Sequence, residues 1–127
     1  MSRIAGISFQ KLSRIAFAVG LLAIVMLSLM PQDTLPSVRI SDKINHFLAY
    51  GCVALAGGFG FGGIRQRLRI ALGMLLLGAG LELLQGLMPS RFMSLADIYA
   101  NVAGILAGLL LVALIDRCLG KAKESGV

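Results

Sequence analysis

The chain has 127 residues, of which 57% are hydrophobic and 14% charged, and its net charge is +6. An ordinary globular domain carries roughly 25% charged residues, and a soluble chain this short has too much surface for its volume to hide so much apolar material. The basic residues stand in short clusters between long apolar runs, with no basic face and no aromatic platform, so the charge excludes nucleic acid as a partner and matches charge that sets membrane topology.

Length predicts a single domain over 1–127. Four apolar runs, at about 12–30, 44–64, 70–88 and 98–115, are each near the ~20 residues that cross a ~30 Å hydrocarbon core as a helix. In lipid the backbone must satisfy its own hydrogen bonds, so helices are the default spanning form. The expected fold is all-α: an integral membrane four-helix bundle surrounded by membrane lipids.

The first run, about Leu12 to Met30, follows Arg3, Lys11 and Arg14 and ends at Pro31. Basic residues before an apolar stretch also begin signal peptides. This stretch is longer than a signal core, and the following PQDTLPSV has no small-x-small cleavage site, so a retained helix is expected. It carries no residue that points to a site.

The second run opens with Asp42, Lys43, His46 and Tyr50. Asp42, His46 and Tyr50 are spaced i, i+4, i+8, which places them on one helical face within about 12 Å along the axis. Asp42 has a second reading as a first-turn residue behind a Ser41 cap. The third run holds Glu82 and Gln85, spaced i, i+3, in its second half, and Arg91 and Ser94 lie in the short loop after it. The fourth begins with Asp97 and Asn101, spaced i, i+4, and Gly104 and Gly108 continue the same stripe. Asp97 also reads as a helix-start residue stabilised by first-turn amides. Gly104-x-x-x-Gly108 is a small-residue face that lets membrane helices approach closely. Packing within the bundle is its expected use, and a homo-oligomer is the alternative.

Orientation follows from lysine and arginine in the short loops. Arg3, Lys11, Arg14, Arg65, Arg67, Arg69, Arg117, Lys121 and Lys123 fall on one side, and Arg39, Lys43 and Arg91 on the other. Both termini are therefore expected in the cytoplasm, with loops 31–42 and 89–96 outside. Glu82 then lies about 9 Å below the outer end of its helix and Asn101 about 6 Å below the start of its own, at ~1.5 Å per residue. Three helices bring Tyr50, Glu82, Gln85 and Asn101 to similar depth, beneath Asp42, Lys43, His46, Arg91 and Asp97.

Glu82 is the most informative of these. A carboxylate at membrane depth costs on the order of a few kcal/mol, so it must face the bundle or a wet cavity, paired or protonated. Its candidate partners are Arg91, Lys43 and His46. Such pairs also have a purely structural reading, as locks between helices. His46 could be a metal ligand beside Glu82 or Asp97, but it is the only histidine, no second histidine or cysteine falls near it, and zinc usually takes at least three protein ligands. No metal and no cofactor are expected. Cys52 lies inside the second run and Cys118 beyond the fourth, at depths too different for a disulfide.

Asp42-Lys43-x-x-His46 with Tyr50, then Glu82-x-x-Gln85, then Arg91, Ser94 and Asp97, then Asn101-x-x-Gly104 with Gly108, taken in this order and at these membrane positions, resemble the VanZ-like membrane protein family over about residues 30 to 112. The resemblance implies a bacterial inner-membrane protein, and the family takes its name from a member linked to glycopeptide (teicoplanin) resistance.

Four functional classes follow. In the first, Asp42, Lys43, His46, Tyr50, Glu82, Gln85, Arg91, Ser94, Asp97 and Asn101 form an outward-facing site for an amphipathic envelope molecule, a lipid-linked precursor or a lipoglycopeptide antibiotic. Arg91, Lys43 and His46 would hold its anionic head group. In the second, the polar residues of a small accessory subunit only fix helix packing. In the third, a membrane enzyme uses His46 with Glu82 or Asp42 as acid and base, although no nucleophile motif supports it. A proton-coupled transporter is a weaker fourth class, because four helices enclose little room.

Overall fold

A computed structural model of the chain describes residues 3–4, 7–35 and 41–124. Arg39, counted above among the loop charges, lies outside the described residues. The chain opens with a small antiparallel pair, β1 (Arg3–Ile4) and β2 (Ile7–Ser8), which the apolar pattern did not predict. Four helices follow: α1 (Phe9–Leu29), α2 (Asp42–Gly60), α3 (Ile64–Gly86) and α4 (Leu95–Glu124). A 3-10 turn, Gln32–Thr34, follows α1.

The helix ends differ from the ends of the apolar runs, because hydropathy marks where lipid-compatible sequence stops and not where the helix stops. The second run was expected to reach Ile64, but α2 stops at Gly60, and Gly63 turns the chain with φ +88°, a conformation that glycine adopts without steric penalty. The basic segment Arg65–Arg69, expected as loop, is the first turn of α3. Arginine and glutamine are good helix formers. The same reason carries α4 on to Glu124, beyond the predicted 115. At the start of α1 the Ser8 hydroxyl accepts a hydrogen bond from the Lys11 amide at 3.3 Å, while Ser41 occupies the cap position of α2 without a side-chain bond.

Three of the four helices are long and apolar enough to cross a membrane: α1, and within the other two Ile64–Gln85 and Leu95–Gly120. α2 falls short of that standard, since its first two turns carry Asp42, Lys43, Asn45 and His46. Within the three apolar helices only 11%, 28% and 28% of the most hydrophobic window is buried inside the protein. Much of the remainder faces outward as rows of apolar side chains, such as Leu72, Leu76 and Leu83 on α3 and Leu106, Leu110 and Leu114 on α4. A water-soluble protein does not present apolar faces of this extent.

The connections alternate the helix directions, up and down. α2 is the central element and packs most extensively on α4, then on α1. Glycine makes the α2–α4 contact close: a Cβ on Gly104 would collide with the Phe47 carbonyl oxygen, and one on Gly108 with that of Gly51. The core assembles around this seam from Ile24, Tyr50, Val53, Ala54, Met74, Leu81 and Ile105.

At the end of the bundle where α2 finishes, two arginines close its unsatisfied carbonyls. Arg14 donates through Nε to the Gly60 carbonyl at 2.7 Å and lies over the Phe61 ring. Arg67 donates to the Gly58 carbonyl at 3.4 Å and pairs with Asp116. Two of the residues read as topogenic charge thus also hold helices together.

Candidate functional site

The polar residues collect at the opposite end, where α2 and α4 begin and α3 finishes. Ser94 caps α4: its hydroxyl accepts from the Asp97 amide at 3.3 Å, and its carbonyl accepts from Asp97 and Ile98 at 3.1 and 3.3 Å. The Ser94-x-x-Asp97 spacing is the sequence pattern of a capping box. It places Asp97 in the first turn, where the helix dipole favours a negative charge.

The backbone N–H of Ser94 donates to Glu82 Oε2 at 3.0 Å. Glu82 is only 1% exposed. Among the described residues no cation lies within ion-pair distance of it. The expected Glu82–Arg91 and Glu82–Lys43 pairs are therefore not formed. Arg91 turns instead to α1 and donates to the carbonyls of Leu27 at 3.2 Å and Met30 at 2.9 and 3.2 Å. Those carbonyls are left open because Pro31 stops the helix, and a cation at a helix C-terminus is stabilised by the dipole. Gln85 joins it, donating to the Ser28 carbonyl at 3.1 Å. α1, expected to contribute nothing here, is thus pinned to the site by Arg91 and Gln85.

His46 sits one turn above Tyr50 on α2, and their rings lie parallel with centroids 6.5 Å apart. Its Nδ1 is 2.9 Å from Asn101 Oδ1 on α4. An amide oxygen can only accept, so Nδ1 is the donor and carries a proton. Nε2 then faces Asp97 Oδ2 at 3.8 Å, too far for a direct hydrogen bond. Gly78 on α3 makes room for the assembly, since a Cβ there would lie 3.0 Å from Asn101 Nδ2 and 3.1 Å from the Tyr50 hydroxyl.

His46, Tyr50, Glu82, Asp97 and Asn101 are therefore gathered, with the Ser94 amide. Asp42 and Lys43 stand exposed at the start of α2, at the rim. Arg91 and Gln85 face away, toward α1. Gly104 and Gly108 lie below, in the α2–α4 seam. One donor atom each from His46, Glu82 and Asp97 falls within a 4.8 Å envelope. The single-histidine count made no metal site expected; α3 and α4 bring two carboxylates beside that histidine, a donor set that could hold a cation.

Two carboxylates this close repel. At 4.8 Å and an effective dielectric of ~20, the Coulomb term is about 3 kcal/mol. A positive charge among the three groups is stabilised accordingly. Access is from one side: the His46 and Asp97 side chains are 21% and 17% exposed.

Comparison of the chain with protein-family models, with curated proteins and with solved structures finds no match.

Proposed function

We propose that this is a VanZ-like bacterial inner-membrane protein whose polar cluster, at the outer face, binds or handles the head group of an amphipathic envelope molecule. In this reading all four helices cross the bilayer and both termini are cytoplasmic. The excess of lysine and arginine before α1, around the α2–α3 connection and after α4 supports that orientation. α2 crosses despite its polar start because those residues lie at the interface or against the other helices.

The observation that carries the reading is the half-open cluster. A wholly buried Glu82 is joined to His46 and Asp97, which remain about one fifth exposed, and the outer faces of the flanking helices are apolar. A polar head and a lipid tail would meet complementary surfaces within one molecule. Membrane-depth carboxylates and histidines mark functional sites by default, because they cost stability. The candidate ligands are lipid-linked cell-envelope precursors and lipoglycopeptides, and a contribution to teicoplanin resistance is one consequence of the second.

The test is equilibrium binding of a lipid-linked precursor and of teicoplanin to the full chain in lipid nanodiscs. Saturable binding lost in His46→Gln and Asp97→Asn, at equal folded yield, is the expected result. Equal binding by all three proteins would sink the proposal.

A second reading is favoured for Arg91 and Gln85 alone. Both are consumed by α1 carbonyls, so their role is to hold the bundle together and not to contact the head group.

A further inference from the structure

We propose that His46, Glu82 and Asp97 hold one divalent first-row transition-metal ion, bound by His46 Nε2 and one carboxylate oxygen from each acid. Three separate helices bring these donors within 4.8 Å of one another. Metal–nitrogen and metal–oxygen bonds of about 2.0–2.2 Å separate two donors of one ion by roughly 3–4 Å. The His46 Nε2 to Asp97 Oδ2 distance of 3.8 Å already lies in that range. The remaining donor separations are no more than 4.8 Å.

The outer partners point the same way independently. Metal-bound histidine characteristically donates its second ring N–H to a carbonyl or carboxylate, which fixes the tautomer and aims the free nitrogen. Asn101 Oδ1 accepts in this way from His46 Nδ1 at 2.9 Å, so Nε2 is turned toward Asp97. A ring nitrogen facing two carboxylates calls for a cation there, supplied either by a proton on Nε2 or by a metal ion. Ligating carboxylates are likewise hydrogen-bonded from outside, as Glu82 Oε2 is by the Ser94 amide at 3.0 Å. Charge agrees: two carboxylates and a neutral imidazole carry −2, which a divalent ion cancels. One imidazole with two oxygens suits Mn, Fe, Co or Zn better than Mg or Ca, which take oxygen ligands throughout.

Three protein ligands leave coordination positions open, on the side where His46 and Asp97 are exposed. That an anionic head group completes the shell rests on the ligand reading above. Binding of the ion does not.

The experiment uses the untagged full chain in nanodiscs, with Cys52→Ser and Cys118→Ser as background so that thiols supply no ligands. The protein is stripped with EDTA and titrated with Co2+ alone, followed by visible absorption and metal analysis, with no envelope ligand present. The expected result is saturation at one ion per chain, weakened at least tenfold in His46→Gln, Glu82→Gln and Asp97→Asn and unchanged in Asp42→Asn. If Glu82→Gln fails to fold, the partly exposed Asp97 and His46 carry the comparison. A folded parent chain that takes up no Co2+ overturns the inference, as does uptake unchanged in both His46→Gln and Asp97→Asn. Head-group binding by the EDTA-stripped protein is scored separately, so failure of the metal site and failure of the ligand reading are told apart.

Discussion

Gly104→Ala adds one methyl group at the closest point of the α2–α4 seam. An ideal Cβ at Gly104 runs into the Phe47 carbonyl oxygen and comes within 3.0 Å of the Gly51 amide nitrogen and 3.1 Å of the Phe47 carbonyl carbon. All three are backbone atoms of α2, and backbone cannot rotate aside as a side chain does. The two helices must part by several tenths of an ångström. Overpacking of this kind costs about 1–3 kcal/mol, a shift of roughly 5- to 150-fold in the folded-to-unfolded ratio. The site is disturbed with the seam, because His46 adjoins Phe47 and Asn101 lies one turn before Gly104, and their 2.9 Å bond spans the same two helices. Gly73→Ala is the matched control: it is also a helical glycine, but nothing lies within 4 Å of its added Cβ. There the higher helix propensity of alanine, up to ~1 kcal/mol, acts unopposed. Reversible unfolding in mixed detergent micelles measures both. Destabilisation by Gly104→Ala with a neutral or stabilising Gly73→Ala is expected. Equal effects of the two substitutions would refute the claim that glycine sets the α2–α4 distance.

Arg91→Gln removes the charged donor from the Met30 and Leu27 carbonyls and is expected to destabilise by about 1–3 kcal/mol, with protease cleavage of the α1–α2 connection accelerated. Head-group affinity in the protein that remains folded should stay within about threefold of the parent, whereas a tenfold loss would return Arg91 to the ligand site. Cys118 is exposed near the C-terminal end of α4, directly after Arg117, so in the proposed orientation a membrane-impermeant maleimide should label it only after cells are opened. Labelling of intact cells would invert the topology. Cys52, exposed on the outer face of α2 at mid-helix, faces lipid in this account and should resist the same reagent in both conditions.

Much of the fold was legible because apolar length is a one-dimensional property. The number of helices, their alternation and the stops before Pro31 and Pro89 follow from it. The start of α3 and the end of α4 did not, since the basic segments that leave the apolar runs are themselves good helix formers. For the site, helical phase grouped His46 with Tyr50 and Asp97 with Asn101, and depth placed Glu82 beside them. Charge complementarity misled at Arg91. Its partners are main-chain carbonyls of α1, and backbone acceptors carry no mark in a list of side chains. The Ser94 amide that binds Glu82 was invisible for the same reason, although the Ser94-x-x-Asp97 spacing signalled the cap that aims it. The approach of donor atoms of His46, Glu82 and Asp97 to within 4.8 Å of one another required three dimensions.

The central claim is that the cluster of His46, Glu82 and Asp97 meets the head group of an envelope amphiphile. A photo-crosslinking amino acid placed at Tyr99 reports on it most directly: Tyr99 is exposed in the second turn of α4, two residues beyond Asp97. In living bacterial membranes a lipid-linked precursor or added teicoplanin should be captured there, and capture should fall at least tenfold when Asp97→Asn is introduced into the same chain. The same crosslinker at Leu114, near the other end of α4, should capture bulk phospholipid only. Equal products at Tyr99 and Leu114, unaffected by Asp97→Asn, would contradict the account.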